Sequence, residues 1–122
     1  AYLARDLLAI FDSESDVRSL RPDMPRVAAL EAFAVIASAP GDTVDFVSRF
    51  FAPGAGIPED PVTGSSHCTL VPYWAERLGK NKLTAKQVSA RGGDLQCVLR
   101  GERVEISGQV VEYLRGEINV EV

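Results

Sequence analysis

The stretch that decides how this chain folds is Glu59-Asp60-Pro61-Val62-Thr63-Gly64-Ser65-Ser66-His67-Cys68, followed by the apolar run Thr69-Leu70-Val71-Pro72-Tyr73-Trp74-Ala75. Two carboxylates and a proline come first, then a glycine and small hydroxyl residues. This order predicts a loop that enters the start of a buried helix. Unpaired backbone N–H groups at a helix start can hold an anion. An acidic side chain beside an anion site is a combination that can carry out chemistry.

We expect this helix to be central to the fold, because it is apolar around much of its circumference. It should end near Leu78, with Gly79 as a left-handed cap and Lys80 and Lys82 beyond it. Pro72 fits poorly, since a proline inside a helix removes a hydrogen bond and costs about 3 kcal/mol. Two alternatives stay open: the helix is kinked at Pro72, or its regular part begins late.

Strands and short helices are predicted on both sides of the central helix. The pattern before it indicates a strand at 5–11, helices at 12–20 and 23–30, strands at 31–38 and 43–51, and a site-forming loop at 52–58. After it, glycine-containing turns separate five strands, Ala85–Arg91, Leu95–Arg100, Arg103–Ser107, Gln109–Leu114 and Glu117–Val122. Closely spaced antiparallel strands need an element that covers their apolar face. The predicted fold class is α+β, with a curved, mostly antiparallel, barrel-like sheet around one central buried helix.

Composition indicates a single domain over residues 1–122, because 46% of the residues are hydrophobic and can form a core. The net charge of −4 argues against a nucleic-acid partner, which usually requires a basic surface. Charge is nevertheless uneven, since the segment 77–91 contains basic residues and no acidic one. It is interpreted either as a solvated edge or as a patch that steers an anionic substrate. Its basic residues are Arg77, Lys80, Lys82, Lys86 and Arg91.

Two cysteines, Cys68 and Cys97, make no disulfide framework, which indicates a reducing, cytoplasmic setting. The dipole of the predicted helix could activate Cys68, but its apolar neighbours favour an inert core thiol. Cys97 lies on a predicted strand and is expected in the core. No apolar run approaches the roughly 20 residues that span a bilayer, and no signal peptide is visible, so no membrane partner is expected. The chain begins without a methionine, in a strand-like segment that starts at Ala1. This favours a fragment of a longer protein.

Generic catalytic motifs do not fit the central stretch. Gly56 and Gly64 are too far apart for a phosphate loop, Gly54-x-Gly56 lacks the rest of a dinucleotide fingerprint, and no GxSxG is present. No metal is expected, because His67 is the only histidine and Cys68 beside it cannot chelate well with it. Close to a helix start His67 should be a neutral imidazole with a structural or substrate-orienting role.

These exclusions leave one kind of site, in which backbone N–H groups bind a carboxylate. Gly64 lets a ligand approach the main chain, while Ser65 and Ser66 add hydroxyl groups. A helix N-terminus carries about half a positive charge, so a substrate carboxylate is the expected guest. Asp60 or Glu59 would then carry a proton or orient the substrate. The alternative is purely structural: the acid caps the loop and the serine caps the helix.

The segment 49–68 resembles the central motif of the phenazine-biosynthesis PhzF-like family. The similarity continues at Pro72-Tyr73-Trp74, Leu78-Gly79-Lys80, Gln87-Val88-Ser89-Ala90-Arg91-Gly92-Gly93 and Gly101-Glu102-Arg103-Val104. The resemblance implies the diaminopimelate-epimerase-like fold, in which two similar domains each roll a sheet around a helix. The active site of that family lies in the cleft between the domains. This chain would correspond to the C-terminal domain alone.

The resemblance also implies a chemistry, the isomerisation of small carboxylic acids by proton transfer without a cofactor. It assigns a catalytic aspartate to Asp60 and substrate binding to Gly64, Ser65 and Ser66, with His67 beside the site. In this family the principal proton-carrying glutamate and a further histidine belong to the N-terminal domain, which this chain lacks. Glu59 matches the motif but not that role, so the resemblance implies half an active site.

Three hypotheses follow from half a site. The chain is part of an isomerase whose N-terminal domain lies elsewhere, or a stand-alone module that binds carboxylates without catalysis. In the third hypothesis two copies form a homodimer that imitates the two-domain cleft. All three share a small carboxylate as the ligand, and the first predicts a biosynthetic enzyme.

Overall fold

The computed structural model describes residues 2–3 and 5–121, with side chains from residue 5 onward. In this part of the chain, strands alternate with a few helices. The strands are β1 (Tyr2–Leu3), β2 (Leu7–Ile10), β3 (Val35–Pro40), β4 (Phe46–Ala52), β5 (Ile57–Asp60), β6 (Lys82–Gln87), β7 (Gly93–Arg100) and β8 (Arg103–Ser107). The helices are α1 (Glu14–Ser19), α2 (Met24–Ala28) and α3 (Gly64–Leu78), with a 3₁₀ turn at Pro53–Ala55.

The strands form one mixed sheet. Its order is β1-β2-β3-β4-β6-β7-β8, and β5 pairs with β4 beside this path. The pairs β2–β3 and β4–β6 are parallel, whereas the other neighbours are antiparallel. The predicted α+β class with a mostly antiparallel sheet is therefore confirmed. The sheet is open, however: over residues 2–3 and 5–121 its end strands β1 and β8 do not pair, so it does not close into the expected barrel.

One edge of β4 is shared by two strands, and this sharing positions the site. β6 pairs with the first half of β4 and ends with Gln87 opposite Ser48. β5 pairs with the second half and has Asp60 opposite Phe50. Because Ser48 and Phe50 are two residues apart on β4, the end of β5 meets the end of β6. The segment that enters α3 begins at this junction.

The predicted central helix is present as α3, which packs on one face of the sheet. Its buried side chains recur at the three- and four-residue spacing of a helix face: Ser66, His67, Leu70, Val71, Trp74 and Ala75. The ring of Trp74 stacks on that of Phe46 with 5.9 Å between centroids. Its Nε1 donates to Ser38 Oγ at 3.0 Å, so the one polar atom of the indole is satisfied inside the core.

The opposite face of the sheet is covered by α1 and α2. Ser13 and Asp16 form a capping box at the start of α1, and Asp23 caps α2 with a hydrogen bond from the backbone N–H of Arg26. Val17 of α1 is fully buried in a second apolar cluster with residues of β3 and β4. These short helices lie within the predicted ranges 12–20 and 23–30.

Some predicted boundaries were wrong because pairing overrides local composition. The predicted loop at 52–58 contains the 3₁₀ turn and the beginning of β5, so Glu59 and Asp60 lie on a strand instead of in a loop. The predicted strand at 31–38 begins only at Val35, where pairing with β4 begins. The strand predicted at Ala85–Arg91 is shifted to Lys82–Gln87, in register with β7.

The two strands predicted at Gln109–Leu114 and Glu117–Val122 are not formed. Residues 108–121 have no regular secondary structure, and Val122 lies outside the described residues. Along this C-terminal segment six large apolar side chains are between 75% and 98% exposed. They are Val110, Val111, Tyr113, Leu114, Ile118 and Val120. A strand is stabilised by its neighbours, and these residues pair with no strand in the described part of the chain.

Pro72 lies inside α3, which is continuous from Gly64 to Leu78. The helix therefore does not begin late, and it contains a proline beyond its first turn. The ring of Pro72 is exposed, and the helix ends at Gly79 with a φ of 65°. Leu70, Val71, Trp74 and Ala75 are buried on either side of the proline. Tertiary packing of the apolar face thus offsets the cost of a missing N–H.

We expect Pro72→Ala to stabilise the protein by about 1–3 kcal/mol, because alanine restores a helical hydrogen bond at an exposed position. The measurement is urea unfolding followed by circular dichroism. Glu76→Ala, one turn later and also exposed, is the matched control and should change the free energy of unfolding by less than about 0.5 kcal/mol. Equal stability of wild type and Pro72→Ala would contradict this account.

Candidate active site

Thr63 joins the end of β5 to the start of α3, and each of its polar atoms is hydrogen-bonded. Its backbone N–H donates to Gln87 Oε1 at 2.7 Å. Its carbonyl oxygen accepts from Ser66 Oγ at 2.8 Å and from His67 Nδ1 at 2.7 Å. Its hydroxyl donates to Asp60 Oδ2 and accepts from Gln87 Nε2 at 3.1 Å. This buried threonine therefore fixes the entry to the helix.

Gln87 connects this entry to the sheet. Its side chain is fully buried, and its Nε2 donates both to the backbone oxygen of Asp60 at 2.7 Å and to the Thr63 hydroxyl. Sequence reasoning did not select Gln87 or Thr63 as site residues. The sequence nevertheless contained a sign that Gln87 is buried. Gln87 continues the alternation of Leu83 and Ala85, which point inward on β6. A polar residue at an inward strand position requires buried partners.

Asp60 is half-buried beside the first turn of α3 (Gly64–His67). One carboxylate oxygen, Oδ2, accepts the Thr63 hydroxyl. The other, Oδ1, accepts no hydrogen bond from the residues that the structure describes. One carboxylate oxygen is thus held by the protein while the other is available to a ligand. A carboxylate held in this way can exchange a proton with a bound molecule or orient it.

The first turn of α3 divides into an exposed and a buried part. Gly64 and Ser65 are exposed, whereas Ser66 and His67 are buried. The Thr63 side chain makes no capping bond to this turn within the described residues, because its hydroxyl is engaged with Asp60 and Gln87. The N–H groups of the first turn therefore keep their capacity to bind an anion. The donors that a ligand can reach are the backbone N–H groups of this turn and the hydroxyl group of Ser65.

His67 was expected to be a neutral imidazole with a structural or substrate-orienting role, and its ring lies in the core, which supports the structural role. Nδ1 donates to the Thr63 carbonyl, and the ring packs on Phe46 with 5.9 Å between centroids. Burial lowers the pKa of His67, and the hydrogen bond to Thr63 only partly opposes this. Nε2 is then an acceptor, and it is buried without a partner among the described residues. The side chain is neutral and out of reach of a surface ligand, so it holds the helix entry instead.

Glu59, the other acidic residue of the motif, forms an ion pair with Arg49. Both of its carboxylate oxygens accept from Arg49, at 2.7 and 2.8 Å. Arg49 also donates to the carbonyls of Val17 and Leu20, and its guanidinium lies 4.9 Å from the centre of the Phe51 ring. This arrangement ties β5 and β4 to α1. Glu59 is therefore a structural residue on the face of the sheet opposite α3.

The two cysteines differ. Cys97 is buried as expected, and burial raises the pKa of its thiol to about 11, which keeps it inert. Cys68 was expected in the core, but it is exposed. The buried face of α3 contains residues 66, 67, 70, 71, 74 and 75, and position 68 points away from it.

The basic segment 77–91 is largely paired within the protein. Lys80 binds Asp45 at 2.5 Å, Lys86 binds Asp94 at 3.4 Å, and the guanidinium of Arg77 lies over a tyrosine ring of α3. These contacts favour the interpretation of a solvated edge. Over residues 2–3 and 5–121 no group of three potential metal ligands comes together, and no helix has the length and apolar character needed to cross a membrane.

A carboxylate beside the open N-terminus of a buried helix, on a mixed sheet, defines this α+β site. The chain belongs to the PhzC-PhzF family, described as phenazine biosynthesis-like protein, whose profile matches residues 3–116. The resemblance seen in the sequence is thereby confirmed. An uncharacterized isomerase of Pseudomonas aeruginosa is 55% identical over 114 residues, which cover 93% of this chain and 44% of that protein. An uncharacterized isomerase of Halalkalibacterium halodurans is 42% identical, with 93% and 43% covered.

Solved structures show the same similarity. A putative phenazine biosynthesis PhzC/PhzF protein of Clostridium difficile aligns with a TM-score of 0.88 at 45% identity, covering 98% of this chain and 46% of that one. A PhzF family protein of Enterococcus faecalis gives a TM-score of 0.86 at 48% identity, with 88% and 42% covered. The chain thus spans less than half the length of the relatives it matches.

The buried neutral His67 makes stability depend on pH. Because its pKa is lower in the folded than in the unfolded state, its contribution is complete above the unfolded value near 6.5 and is lost as pH falls below it. Between pH 7.5 and 5.5 we expect the free energy of unfolding to decrease, by at most about 1.4 kcal/mol per pH unit. Urea unfolding at a series of pH values measures this.

His67→Asn is the matched control, because an asparagine amide can replace Nδ1 as donor to Thr63 but does not titrate. It should be less stable overall and nearly independent of pH in this window, since His67 is the only histidine. Glu14 and Asp45 titrate below this pH window because hydrogen bonds lower their pKa values. Glu14 accepts from the Asp42 N–H, and Asp45 accepts from Lys80 and Thr84. An equal pH dependence in both proteins would refute the assignment to His67.

Proposed function

We propose that this chain supplies one wall of an isomerase site that moves a proton on a small carboxylic acid without a cofactor. The observation that carries the proposal is the free Oδ1 of Asp60 beside the exposed part of the first turn of α3. Three curated relatives are named uncharacterized isomerases, and these names support the reaction class. The proposed arrangement is that of a diaminopimelate-epimerase-like protein, in which the site would lie between two domains.

The first turn of α3 binds the substrate carboxylate in this proposal. The N–H groups of Gly64 and Ser65 and the Ser65 hydroxyl donate to it, and those of Ser66 and His67 add to the positive potential at the helix start. The side chains of Ser66 and His67 keep the turn in place through Thr63. The substrate is thereby held with its neighbouring carbon atoms close to Asp60.

Asp60 exchanges a proton with that substrate through Oδ1. An isomerisation by proton transfer removes a proton from one position of the carbon skeleton and adds one at another, so the number of atoms and electrons is unchanged. A single carboxylate beside a helix start can serve one of these two steps well. A second proton carrier on a facing surface would serve the other. The site is therefore proposed to be completed by another domain or by a second copy of the chain.

The C-terminal segment supports the proposal that another structural unit covers this side of the protein. Residues 117–121 alternate between acidic or polar side chains and the apolar Ile118 and Val120, which are 89% and 75% exposed. Such alternation is typical of a strand with one buried face. Exposed apolar side chains in this number indicate a surface that is covered by another structural unit. We propose the remaining domain of the protein as the partner, with a second copy of the chain as the alternative.

Asp60→Asn is expected to reduce kcat by at least about 100-fold, because an amide cannot exchange the proton, with little effect on the fold. Ser65→Ala should mainly raise KM, by about tenfold, through loss of one donor to the substrate carboxylate. The measurement is deuterium uptake from heavy water into a panel of small unsaturated and amino acids by the complete natural protein, followed by mass spectrometry.

Two exposed residues far from the first turn of α3 serve as controls for this test. Asp12→Asn, in the exposed segment before α1, and Ser19→Ala, in α1 on the face of the sheet opposite α3, make the same chemical changes there and should retain wild-type rates. If Asp60→Asn and Ser65→Ala are as active as these controls, the site assignment is wrong. Binding of small carboxylates without any deuterium uptake by the complete protein would instead favour a non-catalytic module.

The proposed partner surface has its own test. In the complete natural protein, Ile118→Lys and Val120→Lys should each lower the free energy of unfolding by more than about 1 kcal/mol, because they place a charge on a buried strand face. Asn119→Lys, on the other face, should cost less than about 0.5 kcal/mol. Chemical denaturation measures all three. Equal small effects would show that this segment is solvated.

A further inference from the structure

We infer that Gln87 and Thr63 are positioning residues that assign the two carboxylate oxygens of Asp60 to different tasks. Oδ2 is a permanent acceptor for the protein, and Oδ1 alone carries the exchangeable proton. This inference rests on the proposed role of Asp60 in catalysis. It is carried by the direction of each hydrogen bond in the chain Gln87–Thr63–Asp60.

The orientation of the Gln87 amide is determined by two backbone groups. The N–H of Thr63 can only donate, so the atom 2.7 Å from it must be the amide oxygen Oε1. The carbonyl of Asp60 can only accept, so the atom 2.7 Å from it must be the nitrogen Nε2. Both requirements select the same orientation. Since Gln87 is fully buried, water does not compete for either atom.

The direction of the Thr63 hydroxyl follows from this orientation. Gln87 Nε2 also lies 3.1 Å from Thr63 Oγ1 and has only protons to offer, so the hydroxyl oxygen accepts there. A hydroxyl has a single proton, which then points to Asp60 Oδ2. In the described structure this hydroxyl does not cap the first turn of α3. The hydroxyl therefore serves the carboxylate.

The consequence concerns Asp60 in both protonation states. Oδ2 accepts the Thr63 proton whether the carboxyl group is charged or neutral, because a proton on Oδ2 would face the proton of the hydroxyl. A neutral Asp60 must then carry its proton on Oδ1, the oxygen without a protein partner among the described residues. Proton transfer is restricted to one oxygen in one orientation, and alignment of this kind contributes strongly to catalytic rates.

Thr63→Val tests this inference, because valine has the shape of threonine without the hydroxyl and no helix cap is lost. In the complete natural protein we expect kcat to fall about 10- to 100-fold, as the carboxylate of Asp60 becomes free to rotate, while KM changes less than about threefold. Thr63→Ser, which restores the hydroxyl, should recover most of kcat. Thr69→Val makes the same chemical change further along α3 and should behave as wild type.

A double-mutant cycle distinguishes positioning from a general loss of structure. If Thr63 acts through Asp60, Thr63→Val should have no further effect on kcat in an Asp60→Asn background. A rate loss of the same size in both backgrounds would overturn the inference, and so would wild-type kcat in folded Thr63→Val. Gln87→Glu replaces the donor Nε2 by an acceptor and should mimic Thr63→Val if the protein folds.

A spectroscopic measurement keeps this inference separate from the proposed function. A buried hydroxyl that donates to a carboxylate exchanges slowly with water, so wild type and Thr63→Ser should each show one protected hydroxyl proton in NMR spectra that Thr63→Val lacks. If that signal is present but the wild-type protein has no isomerase activity, the proposed function fails and the assignment of the oxygens stands. If Thr63 exchanges freely in wild type, the assignment itself fails.

Discussion

The hydrogen bonds between the buried amide of Gln87 and Thr63 are the interaction on which the candidate site depends. They join the end of β6 to the residue immediately before α3, and they do so where β5 and β6 share an edge of β4. A buried amide that lost these partners would retain the full cost of its desolvation. The same bonds that stabilise this junction therefore hold Asp60 beside the helix N-terminus.

As a consequence of this arrangement, the residues of one short motif have different roles. Asp60 presents a free carboxylate oxygen, Gly64 and Ser65 present donors, and His67 supports both from the core. Charge explains why the buried member is a neutral imidazole: a cation there would be desolvated and would lie near the positive end of α3. Glu59 serves a different structure, since its ion pair with Arg49 ties β5 to α1.

Much of the fold could be predicted from local patterns, because α3 and the meander β6–β8 depend on periodicity and turn residues near in sequence. The predictions failed where pairing with distant residues decides the outcome. Glu59 and Asp60 belong to β5 because β4 offers an edge to them, whereas residues 109–121 pair with no strand among the described residues and form none. Cys68 was misplaced because its apolar neighbours lie on another face of the helix.

The sequence by itself determined that a carboxylate, a glycine and hydroxyl residues stand at the start of a buried helix, and its motif was sufficient to indicate the family. These properties are local, since caps, glycine and apolar spacing act within a few residues. Only the tertiary structure decided that Thr63 and Gln87 are hydrogen-bonded to Asp60, that His67 is buried, and that Glu59 forms an ion pair with Arg49. Those roles arise from contacts between residues 3 to 27 positions apart, and the geometry of the longer-range contacts depends on the register of the sheet.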